Sequence, residues 1–219
     1  MALKLLKDSV LIQPIIETAE TIIREYPKTH TTTDPYMVLI STILSQRSKD
    51  GNTEKATLQL FQDGWDVFEI AKKDPEELFE RIKPSGLYRQ KAKNIVQTSK
   101  MLISEFQGKV PPDIDKLTQL PGVGRKTANI VLWISFGIPA MAVDTHVHRI
   151  ANRLGWINTT KPEKSEYALM EVLPRDLWGP INGSMVEFGK AVCKPRTPLC
   201  SICVVKQFCQ YYLLEVEKR

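Results

Sequence analysis

The chain has 219 residues, 42% of them hydrophobic and 25% charged, and a formal net charge of +5. That composition belongs to a globular protein with a buried core and excludes a disordered or fibrous chain. No apolar run approaches the roughly 18 residues of a membrane helix, and the basic excess suits a polyanionic partner.

The opening stretch, MALKLLKDSVLIQPIIETAETIIREY, places apolar positions at near-helical spacing and lacks a small-residue cleavage site. It predicts a mature amphipathic helix and an intracellular protein, cytoplasmic or nucleoid-associated. Asp34-Pro35 and Asn52-Thr53-Glu54 read as two further helix starts. Asp74-Pro75-Glu76-Glu77 supplies an N-cap, a proline at the first helical position and a capping-box glutamate, with Leu78, Phe79 and Ile82 on one face. Pro84-Ser85-Gly86 ends that helix. The next is predicted from about Gln90 through Phe106, with Ala92, Ile95, Val96, Leu102, Ile103 and Phe106 inward and Gly108 closing it. Between Tyr88 and Met101 it carries Arg89, Lys91, Lys93 and Lys100 and no acid, which on sequence grounds alone is a solvated helix face. Pro111-Pro112-Asp113 opens a short helix ending at Leu120, and another runs from the following turn to Gly137-Ile138-Pro139. Alternating, period-2 runs and fixed-period repeats are absent, so the expected fold is all-α, built of about ten short helices.

The turn between the last two helices, in LPGVGRKTANIVLW, holds Gly122, Val123 and Gly124 where the backbone must bend sharply or approach something closely. Backbone amides at such a helix start bind phosphate oxygens without side chains. Lys126 follows at once, where the positive end of a helix dipole disfavours an ammonium. LPGVGRKTAN resembles the helix-hairpin-helix motif of DNA-binding proteins. Farther on, Asp144 in AVDTHVHRIANRLGW precedes a helix with Val147, Ile150 and Leu154 on its apolar side. As an N-cap alone it would contribute about 1 kcal/mol. A second reading joins it to Lys126: a neutral amine attacks a sugar C1′ carbon, and a carboxylate stabilises the positive charge that develops as a base leaves.

All four cysteines lie in CKPRTPLCSICVVKQFC, at Cys193, Cys200, Cys203 and Cys209, spaced C-x6-C-x2-C-x5-C. Disulfides would staple only the last tenth of an intracellular chain. Four-cysteine zinc sites usually present two close pairs, and one pair is present here. An iron-sulfur cubane also takes four thiolates. His146 and His148 are too close in sequence to share a helix face, and read as polar packing; Trp65, Trp133, Trp156 and Trp178 are scattered and read as core or interface residues.

With the hairpin, VDTHVHRIANRLG and the cysteine array together, the chain resembles the endonuclease III family of the helix-hairpin-helix DNA glycosylases, from about Asp34 to Cys209. The resemblance implies two lobes: a six-helix barrel over residues 28–138 ending in the hairpin, and a discontinuous lobe of residues 1–27 with 139–219 carrying a [4Fe-4S] cluster on the four cysteines, with DNA held between them. It makes Lys126 the nucleophile that forms a Schiff base with deoxyribose, and Asp144 the catalytic carboxylate. SGLYRQKAKNI resembles the family's wedge loop, which would insert Leu87 into the base stack and turn the basic run toward the DNA backbone. TILSQRSKD resembles the helix whose glutamine fills the gap left by the extruded nucleotide; Arg47 stands at that position, with Gln46 one residue earlier, and either would enter the duplex. Lys194 and Arg196, in the loop between the first two cysteines, would face phosphate.

The implied activity is that of a bifunctional glycosylase and abasic-site lyase acting as a monomer on oxidised pyrimidines in double-stranded DNA. A monofunctional mismatch glycosylase and a noncatalytic DNA-binding or redox-sensing module are the alternatives, and Lys126 with Asp144 argues against both.

Overall fold

The computed structural model describes residues 2–216, with side chains from residue 12 onward, and among these every regular element is helical. Two compact units emerge: His30–Ile138, and the residues up to Thr29 together with those from Pro139 onward.

The central unit contains α2 (Pro35–Ser45), α3 (Asp50–Phe61), α4 (Val67–Lys72), α5 (Phe79–Ile82), α6 (Tyr88–Phe106), α7 (Ile114–Leu117) and α8 (Arg125–Phe136). Asp34 caps α2 by accepting the Met37 amide at 2.8 Å, with Pro35 at the first position. Val38, Leu39, Ile40, Ile43 and Leu44 of α2 are all buried, so this helix is apolar on nearly every side and forms the middle of the core. α3, α6 and α8 pack around it. Trp65 lies beneath the Arg81 guanidinium, 4.0 Å from the ring centroid.

Several predicted boundaries move: α3 begins at Asp50 rather than at Asn52, and α7 ends at Leu117 rather than Leu120. The helix expected at Asp74 begins as a 3₁₀ turn, Pro75–Leu78, in which the Asp74 amide donates to Glu77 at 3.0 Å. Its α-helical continuation is the single turn α5, because Pro84 has no N–H with which to extend it. The next helix, α6, begins at Tyr88 and ends on Gln107, which takes the left-handed conformation (φ 56°) ahead of Gly108 (φ 77°). The Gly108 amide then closes on the Leu102 carbonyl at 2.9 Å. Ile103 and Phe106 are half-buried rather than core residues.

The second unit contains α1 (Ala2–Glu25), α9 (Thr145–Leu154), α10 (Pro162–Val172) and α11 (Trp178–Ala191). α11 lies against both α1 and α9. Ile22, Val147, Ile150, Leu169, Met185 and Phe188 anchor its core. Tyr26 meets Phe188 with ring centroids 5.0 Å apart, and Lys28 pairs with Glu187 at 2.7 Å. Among the described residues no helix is long and apolar enough to cross a membrane.

Candidate functional site

In the central unit, α7, the turn and α8 form the hairpin. Asp113 caps α7 by accepting the Lys116 amide at 2.9 Å. Gly122 takes φ 77°, and a Cβ there would sit 2.5 Å from Nδ2 of Asn94, so its glycine serves both the turn and the packing of α6. Val123 is buried, and its amide donates to the Leu120 carbonyl at 3.0 Å; this residue builds the turn from within. Gly124 is different. Its φ of −94° suits any residue, and a Cβ would meet nothing within 4 Å, so nothing inside the protein requires glycine there. The absent side chain leaves the start of α8 open to close approach from outside. Arg125 and Lys126 follow in the first turn, both exposed, while Thr127, Ala128 and Asn129 turn inward.

The same unit separates Gln46 from Arg47. The Gln46 side chain donates Nε2–H to the Gly122 carbonyl at 2.8 Å and lies 3.4 Å from the Thr127 hydroxyl, so it braces the hairpin. Arg47 is exposed, with φ at 51°. Leu87 is 59% exposed, a large apolar side chain facing solvent at the start of α6, and its φ is also left-handed at 48°. Of the basic run on α6, Arg89, Lys93 and Lys100 are exposed as expected of a solvated face. Lys91 is the exception, buried with its ammonium on the carbonyls of Leu44 and Ser85 at 2.7 and 2.8 Å. Helical periodicity places it beside Ala92 and Ile95 on the inner face, a signal outweighed in the sequence by its charge.

In the second unit, Asp144 caps α9. One carboxylate oxygen accepts the amides of His146 and Val147 at 2.8 and 2.9 Å. His148 packs as a polar residue, its ring nitrogen 2.7 Å from the Ser165 hydroxyl. Two arginines of α9, which charge alone does not distinguish from surface residues, tie this helix to the cysteine loop. Arg149 donates to the Cys193 carbonyl at 2.8 Å. Arg153 donates to the Lys194 and Pro195 carbonyls at 2.8 and 2.6 Å and approaches the Cys193 sulfur at 3.5 Å. Their four-residue spacing on the face next to the apolar stripe was the available signal.

All four cysteines line one pocket with Ile150 and Arg153, and none is paired in a disulfide. Four sulfurs in one pocket supply the four thiolates that an iron-sulfur cubane takes, one for each iron. Burial pushes the Cys200 and Cys209 thiols up and Cys203 to about 11, with the neighbouring sulfurs adding to the effect. Ligation there is therefore coupled to proton release. Lys194 and Arg196 are exposed on the loop whose carbonyls Arg153 holds.

Comparison with known proteins covers these features together. Residues 40–175 match the HhH-GPD superfamily base excision DNA repair proteins, and residues 193–209 match the iron-sulfur binding domain of endonuclease III. Endonuclease III of Thermotoga maritima is 57% identical over 198 residues, 90% of this chain and 93% of that protein. A trapped covalent intermediate of endonuclease III with DNA superposes with a TM-score of 0.84 at 36% identity, covering 91% of this chain and 96% of the other. A thermostable thymine-DNA glycosylase gives a TM-score of 0.80 at 27% identity, over 96% and 98% of the two chains. Because one family accounts for the hairpin, the Asp144 segment and the cysteine loop alike, the chain belongs to the endonuclease III family of HhH-GPD base excision repair proteins.

Proposed function

We propose that this protein is a bifunctional DNA glycosylase and abasic-site lyase of base excision repair, with Lys126 as nucleophile and Asp144 as the carboxylate that supports it. The observation that carries this reading is a primary amine exposed in the first turn of α8, directly after a turn whose Gly124 backbone is open to approach. A phosphate held by such a helix start places the adjoining sugar within reach of that amine.

The chemistry follows from those groups. The Lys126 amine attacks C1′, the glycosidic bond breaks, and the base departs with the bonding electrons and takes up a proton. Asp144 stabilises the positive charge on the sugar as it develops. Ring opening gives an imine between Lys126 and C1′. Loss of a C2′ proton then expels the 3′ phosphate, and water releases the lysine. Gly122 and Gly124 hold phosphate while Leu87 and Arg47 occupy the duplex, so that an oxidised pyrimidine rotates out at a cost of a few kcal/mol. Gln46 supports the hairpin instead of entering the stack. An arginine facing the orphaned base favours acceptor-rich edges such as those of guanine.

Cys193, Cys200, Cys203 and Cys209 hold a [4Fe-4S] cluster, whose contribution is a rigid cross-link. It fixes both ends of the loop carrying Lys194 and Arg196, so two cations meet phosphate with little ordering cost. One chain supplies amine, carboxylate, hairpin and cluster, and we read the protein as a monomer working on intracellular DNA.

Borohydride trapping on a duplex with an abasic site tests the proposal. The wild-type protein forms a covalent adduct that Lys126→Ala abolishes. A monofunctional glycosylase or a docking module forms none, and an adduct that survives Lys126→Ala overturns the assignment.

A further inference from the structure

Lys91 is 4% exposed, and no acidic side chain is among its bonding partners. Burial pushes its amine down from 10.5 to about 8. An apolar side chain of the same length would fill the space without that desolvation cost, so packing does not explain a lysine here. The explanation lies in what the ammonium joins. Leu44 is the penultimate residue of α2, and its carbonyl is among those a helix end leaves without an intrahelical partner. Ser85 belongs to the turn before α6. The two carbonyls are far apart in sequence and are bridged by one amine at 2.7 and 2.8 Å.

Three residues beyond Leu44 is Arg47, and two beyond Ser85 is Leu87. These are two of the three non-glycine residues of the described chain with left-handed backbones, at φ 51° and 48°. Such conformations persist in L residues only where surrounding structure dictates them. Both side chains are exposed, so their own packing does not supply the constraint. The bridged carbonyls lie three and two residues before them, within the same short segments.

We infer that Lys91 is a positioning residue: it clamps the end of α2 to the turn before α6, and so presents Arg47 and Leu87 to the duplex as one rigid pair. This rests on the proposal that those two side chains enter the duplex. Lys91 itself touches neither base nor sugar. It acts by removing the freedom of the two segments relative to each other, which independent loops would otherwise lose at the moment of base extrusion.

The test compares duplex and single-stranded substrates on the full-length, cluster-loaded protein. A single-stranded abasic oligonucleotide needs no wedge, so borohydride trapping on it reports the amine alone. Single-turnover excision of thymine glycol from a duplex, with 2-aminopurine beside the lesion as a fluorescent reporter of unstacking, reports the pair. Lys91→Met is expected to lower duplex excision by about tenfold to a hundredfold and to remove the fluorescence rise, while single-strand trapping changes by less than about threefold. Lys91→Arg, which restores donors, recovers part of the duplex activity. A fall of both activities together, or an unchanged duplex rate, overturns the inference. Should Lys91→Met fail to fold, the duplex-to-single-strand ratio of Lys91→Gln, whose shorter side chain cannot span both carbonyls, decides: an unchanged ratio overturns the clamp and a lowered one supports it. Leu87→Ala and Arg47→Ala run alongside. If they keep the fluorescence rise, the reading of those side chains fails; if they lose it and Lys91→Met keeps it, only the clamp fails.

Discussion

Asparagine at position 144 separates two tasks that one carboxylate combines. The oxygen of Asp144 that caps α9 accepts two amides, from His146 at 2.8 Å and Val147 at 2.9 Å. An asparagine carbonyl oxygen occupies the same place and accepts both, so Asp144→Asn loses only the negative charge at the helix start, about 0.3–1 kcal/mol. Asp144→Ala loses the acceptor as well and leaves both amides without a cap, about 1–2 kcal/mol. The stability order is therefore wild type, then Asn, then Ala. Catalysis follows a different order. If the carboxylate stabilises charge on the sugar, both variants lose about 3–4 kcal/mol of transition-state stabilisation, a fall of roughly 10²–10³ in the single-turnover excision rate. Urea melts monitored by tryptophan fluorescence give the first order, and excision from a thymine glycol duplex gives the second. An Asp144→Asn protein that excises within a few-fold of wild type would refute the catalytic role and leave Asp144 as a cap. Equal stability of the two variants would refute the capping argument.

The two hairpin glycines should respond in opposite ways. Gly122→Ala meets both a left-handed φ and the Asn94 side chain at 2.5 Å, so it loses about 1–2 kcal/mol of stability in a melt, whereas Gly124→Ala changes stability by less than about 0.5 kcal/mol and weakens binding of an abasic duplex in a fluorescence-anisotropy titration. Arg153→Met removes donors from the Lys194 and Pro195 carbonyls and from the Cys193 sulfur, with partial exposure reducing the effect to about 2 kcal/mol; loss of absorbance near 400 nm under a chelator should accelerate by about tenfold. Lys91 gives a pH signature. Its amine loses its proton near 8 in the folded chain and near 10.5 in the unfolded one. Between those values the unfolded state binds more protons, so the stability of wild type relative to Lys91→Met rises with pH by about 3 kcal/mol, and a flat difference across that window contradicts it.

Local chemistry was legible wherever a short segment determines its own conformation. Asp34-Pro35, Asp113 and Asp144 announced helix starts because a capping carboxylate needs only the next two or three amides. The cysteine spacing identified a multi-thiolate site because it is compact enough for a single loop to supply every ligand. What the tertiary structure decided involves partners distant in sequence. Gln46 and Arg47 are adjacent and equally able to hydrogen-bond a base, and only the Gly122 carbonyl, 76 residues away, commits the glutamine to the hairpin. Lys91 and Lys93 look alike in a basic run, yet one is buried against Leu44 and Ser85 and the other faces water. Arg153 reads as a surface charge until the chain returns with Cys193 beside it. A side chain's charge is written in the sequence, but whether it meets water or a carbonyl depends on which segment folds against it.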